Sequence, residues 1–178
     1  LRYAQTLMDV ANQVLDEFSQ EHSFATEQKK HNLKSPNTAK KYLQYLQNAY
    51  LVLALPRFSL KSSERRSVHK YYAIDPAMIA KRDEALLTDS LGLRLENVVA
   101  VELRRRAAID EQIYYFRKVR EYEVDFVRVK GTQVQELIQV TYDFTQPRTK
   151  LYNREVGNLV KASNILYCDN LTLVMMYG

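Results

Sequence analysis

The chain has 178 residues, 46% of them hydrophobic and 26% charged, with no Trp, four Gly and four Pro; this excludes a disordered or collagen-like polymer and leaves one large domain or two compact ones. A single cysteine, Cys168, excludes a disulfide framework and a cysteine-based zinc cluster and fits a reducing, cytoplasmic location. The net charge of +5 is unevenly spread: ten Lys or Arg stand against one acid, Glu64, between Gln28 and Lys70, and the remainder is weakly acidic, a division that sets a surface suited to a polyanion beside a second surface of another kind. The longest apolar run, Tyr50 to Pro56, is far too short to cross a membrane, and Leu1 opens no signal pattern. The chain starts without Met and stops at Met175-Met176-Tyr177-Gly178 inside a strand-like run, as expected of a fragment of a longer protein.

From Tyr3 to Phe18, Leu7, Val10, Ala11, Val14, Leu15 and Phe18 recur at three- and four-residue spacing, which predicts an amphipathic scaffold helix. A short helix follows over about Thr26 to His31. Ser35-Pro36 then signals a new helix, because Ser caps the first free N–H groups and Pro has none to leave unsatisfied. That helix is expected to run to about Ala49, with Ala39, Tyr42, Leu43, Leu46 and Tyr50 turned inward. Asn37, Lys41, Gln44 and Asn48 lie along its outer stripe. A strand from Leu51 to Leu60, a basic turn from Lys61 to Ser67 and a second strand from Val68 to Ile74 complete the order of a winged helix-turn-helix. In that arrangement Asn37, Lys41, Gln44 and Asn48 would face base edges in the major groove, and Lys40, Lys61, Arg65 and Arg66 would contact phosphates.

Asp75-Pro76 ends the ribbon, and Lys81 to Glu84 reads as a junction. A long helix is expected from about Ala85 to Ala107, closed by Arg104-Arg105-Arg106 as cations that complement its dipole. Strands are expected at Gln112 to Arg117, Tyr122 to Lys130 and Val134 to Tyr142, with a hairpin turn at Lys130-Gly131-Thr132. Helical spacing returns from Thr149 to Asn164, and Ile165 to Cys168 and Leu171 to Met176 read as closing strands. The expected class is α+β: a winged helix over residues 1–80, then a mixed sheet flanked by helices over residues 84–178, truncated at its C-terminus.

Leu95-Glu96-Asn97-Val98-Val99, Glu123-Val124-Asp125-Phe126-Val127, Leu137-Ile138-Gln139-Val140 and, earlier, Tyr42-Leu43-Gln44-Tyr45-Leu46, Leu51-Val52 and Lys70-Tyr71-Tyr72-Ala73-Ile74-Asp75 occur in an order that resembles the C-terminal region of a prokaryotic family of predicted AAA+ ATPases. The resemblance covers nearly the whole chain. It implies an ATPase module, then a winged helix, then a domain of unknown function related to restriction-endonuclease-like folds. Gly occurs only at 92, 131, 157 and 178, never before Lys, so the fragment has no phosphate loop. Any ATP site would precede Leu1.

A restriction-type site holds Mg²⁺ with carboxylates from a helix and two strands and adds a Lys. By resemblance Glu96 and Asp125 fill the first two acidic positions and are the candidate metal ligands. The third element reads Gln139-Val140-Thr141, which lacks both the acid and the Lys. Alternation places Glu136 on the opposite face, while Lys150, Arg154 or Glu155 could reach toward Asp125 from the next helix. The equally open alternative is that Glu96 and Asp125 are satisfied structural carboxylates. His22, His31 and His69 show no ligand spacing and are expected at the surface, and Cys168 is expected as a buried thiol.

The expected role is DNA binding and recognition of a target or partner on behalf of an N-terminal ATPase module, with Mg²⁺ as the one cofactor the fragment itself could hold. Two alternatives stay open. One is a Mg²⁺-dependent nuclease that retains Glu96 and Asp125; the other is a protein-interaction module that regulates ATPase assembly, with self-association also open.

Overall fold

The computed structural model describes residues 2–59, 61–80, 90–118, 121–142 and 150–176, and it is an α+β structure with two sheets. The expected junction at Lys81 to Glu84 and the expected first turns of the long helix lie outside these residues. The first unit opens with helix α1 (Arg2–Asp16), a short strand β1 (Glu21–Ser23) and helices α2 (Phe24–Lys30) and α3 (Pro36–Asn48). Ser23 and Ser35 cap α2 and α3, each accepting a hydrogen bond from the backbone N–H three residues on. Val10 and Val14 of α1, with Phe18 just past its end, pack on Ala39, Leu43 and Leu46 of α3, as their spacing requires. A buried side chain of this size contributes about 1.5–3 kcal/mol.

Strands β2 (Val52–Pro56) and β3 (Val68–Ala73) are antiparallel, and β1 pairs with the other edge of β3 to give the order β1-β3-β2. Strand β1 is too short and too polar to stand out in sequence; it exists because its neighbour offers a free edge. The connection at the ribbon tip is a short helix, α4 (Ser62–Ser67), where a basic turn was expected. Another short helix, α5 (Ala77–Ala80), follows Asp75, which caps it through the Ala77 N–H. Tyr50, expected to face inward, is 80% exposed, because α3 ends at Asn48 and Tyr50 adopts a left-handed conformation (φ 55°) that turns the chain into β2.

The second unit contains helix α6 (Ser90–Arg106), strands β4 (Glu111–Lys118), β5 (Tyr122–Lys130) and β6 (Gln133–Thr141), helix α7 (Lys150–Leu166) and strand β7 (Leu171–Met175). The sheet order is β4-β5-β6-β7, antiparallel except for the parallel pair β6–β7. Gly131 supplies the positive φ (61°) that the β5–β6 turn needs. The strand expected at Ile165 to Cys168 does not form: α7 continues through Leu166 and ends where Tyr167 turns left-handed. No helix among the described residues is long and apolar enough to cross a membrane.

The two sheets share a core. Leu55 of β2 and Tyr72 of β3 pack with Ala100 of α6 and with Ile113, Tyr115, Phe126 and Ile138 of the second sheet. Past Pro56 the chain also joins the edge of β4, where the Phe58 N–H donates to the Tyr115 carbonyl at 2.7 Å. Helix α6 therefore lies against both sheets, and its buried side is the floor on which the polar residues of interest are placed.

Candidate functional site

The residues read as a nuclease-like constellation come together around a lysine that sequence reasoning left out. Lys70 on β3 is 4% exposed, and its Nζ donates to Glu96 Oε1 at 3.0 Å. Tyr72, two residues on and hence on the same face of the strand, donates its hydroxyl to the same oxygen at 2.8 Å. Lys70 is also ion-paired with Glu123 of β5 and lies over the ring of Tyr115, 5.6 Å from its centroid. Burial alone would depress the Lys70 ammonium, but Glu96, Glu123 and Asp125 outweigh it and hold it above its ordinary value. Burial pushes the Glu96 carboxyl up, against the opposing pull of Lys70 and Tyr72.

Asp125 and Gln139 have a different task. The β5–β6 ladder runs from Lys130 opposite Gln133 to Phe126 opposite Ile138. Beyond it, side chains replace backbone partners: Asp125 Oδ2 accepts from the Val140 N–H at 2.8 Å, and Gln139 Oε1 accepts from the Asp125 N–H at 3.3 Å. Two buried N–H groups that would otherwise be orphaned are thereby satisfied. Burial, followed by the nearby charge of Glu96, pushes the Asp125 carboxyl well above its usual range.

Beside Glu96, Asn97 is fully buried and binds one strand residue twice, accepting from the Ala73 N–H at 2.8 Å and donating to the Ala73 carbonyl at 2.9 Å. Since β1 pairs only with Val68 to Lys70, the amide of Asn97 extends that edge in its place. Among the other candidates, Arg154 donates to the buried Glu155, and Glu136 sits with Arg128 and Thr172. The side chain of Lys150 lies outside the described residues. His22 is buried rather than superficial, held between Glu27 and the Glu17 carbonyl, and Cys168 is buried with its thiol toward the Asn170 carbonyl.

Do these residues fit Mg²⁺? Glu96 Oε1 already serves Lys70 and Tyr72, one Asp125 oxygen serves Val140, Gln139 serves Asp125, and an ammonium occupies the centre of the acids. Among the described residues no three His, Cys, Asp or Glu side chains are disposed to hold a metal. The donor set as arranged does not fit the ion.

The basic residues lie elsewhere. Asn37, Lys40, Lys41, Gln44 and Asn48 are exposed on α3, opposite buried Ala39, Leu43 and Leu46, while Lys61, Arg65 and Arg66 are exposed at the tip between β2 and β3. Lys40 is near enough to His69 of β3 to add to the effect of burial on that imidazole, which is lowered to about 4. The N-terminal half of α3 and the start of β3 thus share one side of the first unit.

No family model and no solved structure matches the chain. An uncharacterized protein from Methanocaldococcus jannaschii is 35% identical over 132 residues, which are 74% of this chain and 28% of that protein. The chain therefore spans less than a third of the length of this relative.

Proposed function

We propose that the chain is a DNA-binding segment of a longer protein, in which α1 to α3 and the β2–β3 ribbon form a winged helix-turn-helix and the second sheet is a restriction-endonuclease-like unit with a closed site. The observation that carries this reading is α3: a Ser-capped helix whose exposed stripe holds amides and lysines, with three further cations at the ribbon tip and Lys40 beside the ribbon itself. Amides such as Asn37, Gln44 and Asn48 can pair bidentately with adenine, while Lys and Arg neutralise phosphates. Recognition would serve an AAA+ ATPase module outside this chain, as the resemblance implies, with a cytoplasmic location and self-association as parts of the same proposal. The share of the archaeal relative left uncovered gives room for further modules in that protein.

Fluorescence anisotropy of labelled duplex DNA, titrated at several salt concentrations, tests it. Binding should weaken steeply with salt and nearly vanish in a Lys40→Ala/Lys41→Ala/Arg65→Ala/Arg66→Ala variant. No binding at low salt overturns the DNA reading and leaves partner recognition in its place.

One observation favours Mg²⁺-dependent cleavage as a second reading: Lys70 supplies, from another strand, the ammonium missing at Thr141. Its burial and the occupied carboxylates argue for the closed site instead. Nicking of supercoiled plasmid that requires Mg²⁺ and is lost in Asp125→Ala would reverse that order.

A further inference from the structure

Where the chain leaves β2 and runs against β4, a cleft of about 890 Å³ opens between this segment, the end of β4, the β5–β6 turn and the C-terminus of α7. Its walls carry Arg57, Lys61, Arg117 and Lys118 together with Phe58 and Tyr167, and among the described residues none that lines it is Asp or Glu. Arg117 pairs with Glu21 and Glu123, and Lys118 with Glu121. Arg57 donates through Nη2 to the Arg117 carbonyl, yet its Nε is buried and has no partner among the described residues. The Nη2 bond fixes the guanidinium in the wall of the cleft.

Tyr167 supplies the second, independent observation. It is 93% exposed, so burial of its ring does not explain its presence. It also holds a left-handed backbone (φ 52°) just past the end of α7, where Gly or Asn would be placed without the crowding a bulky side chain brings. Tyr50 shares this exposure and this backbone, so what marks Tyr167 is its place on the rim of a cleft lined by four cations, where an open aromatic face has the form of a stacking platform. Phe58, edge-on to Tyr114 at 5.6 Å, is held in the same wall.

We infer that this cleft binds single-stranded nucleic acid, with phosphates on Arg57 and Lys61 and a base stacked on Tyr167. Cations that follow a backbone, joined to aromatic rings that take any base, are what single strands require, whereas a duplex hides its base faces. Lys61 directly precedes α4, which carries Arg65 and Arg66, so the cleft continues the basic tip onto the second sheet. The inference goes beyond the duplex reading, because α3 plays no part in it.

The test is anisotropy of a fluorescein-labelled oligothymidylate titrated with the whole chain at several salt concentrations. Tyr167→Gly should weaken binding by about fivefold or more, the lower end of what one stacked base contributes. Gly suits the backbone of this position, so that loss would not reflect unfolding. Tyr167→Phe should keep binding, Lys61→Ala should weaken it and reduce its salt dependence, and Lys40→Ala/Lys41→Ala should leave it unchanged. Retention of oligothymidylate binding in that α3 variant, with or without duplex binding by the parent chain, separates the two readings. Absence of binding at low salt, indifference to both Tyr167→Gly and Lys61→Ala, or loss in the α3 variant overturns the inference. Equal competition by thymidine monophosphate at matched nucleotide concentration also overturns it, by showing a site for a free nucleotide.

Discussion

The Nζ of Lys70 lies 3.0 Å from Oε1 of Glu96, and this contact ties the central strand of the first sheet to the helix that covers the second. Both side chains are buried, so each has given up hydration that the other, with Tyr72 and Glu123, replaces. Removing one member leaves an uncompensated buried charge, which costs far more than the pair is worth. Lys70→Met should therefore destabilise the chain by about 3–5 kcal/mol. Adding Glu96→Gln should recover part of that loss. A double-mutant cycle by urea denaturation checks this, and strict additivity of the two changes would show that the residues are not coupled.

Asn97 makes a smaller but equally specific join, since both of its hydrogen bonds go to the backbone of Ala73. Asn97→Ala would strand a buried N–H and a buried carbonyl, at a cost of about 1–3 kcal/mol for each unsatisfied group. The melting temperature should fall accordingly. Hydrogen exchange at the Ala73 amide should accelerate more than at Tyr72, whose own N–H lies in the ladder with β2.

Asp125 carries a pH dependence of defined sign. Its carboxyl is pushed well above its usual range, first by burial and then by Glu96. The folded state therefore holds a proton that the unfolded chain has released, and the stability this group contributes is lost as pH rises from about 4 through the raised value. Asp125→Asn keeps an oxygen for the Val140 N–H and removes that penalty. The variant should gain on the parent chain as pH rises from about 4 toward 7 in thermal melts. A gap that narrows or reverses over that range would show that Asp125 is instead stabilised as the anion.

Periodicity made the helices and most strands legible, because Val10, Val14, Leu43 and Leu46 alternate with polar residues at helical spacing and the Ser35 cap is local chemistry. What escaped is set by tertiary partners. Strand β1 needs the free edge of β3, and α7 overran an expected strand because helical hydrogen bonding continued until Tyr167 turned the chain. Glu96, Asp125 and Gln139 were visible as polar residues in apolar runs, and the structure gathers them. Lys70 could have been suspected from alternation, since it shares a strand face with Tyr72. Its partners, though, are separated from it by 26 residues and more, a distance that no local pattern reports. Tyr50 was misplaced for a simpler reason: helical spacing was extended two residues past Asn48, where the helix ends.

His69 offers a direct reading of how α3 sits against the ribbon. Burial depresses this imidazole to about 4, and the charge of Lys40 adds to the effect; its ring stacks on Phe24 and its Nδ1 is buried with no partner among the described residues. Because the folded value lies below the unfolded one of about 6.5, the stability linked to this group is present above pH 6.5 and lost as pH falls toward 4, up to about 3 kcal/mol. His69→Phe should keep the stack and flatten the stability profile across that window. Lys40→Ala should raise the imidazole value, because only the smaller of the two causes is removed, and NMR titration of the His69 ring measures the shift. An unmoved value would mean that Lys40 and the ribbon do not share a face in solution. The α3 stripe and the ribbon tip could then no longer be expected to grip the same stretch of DNA.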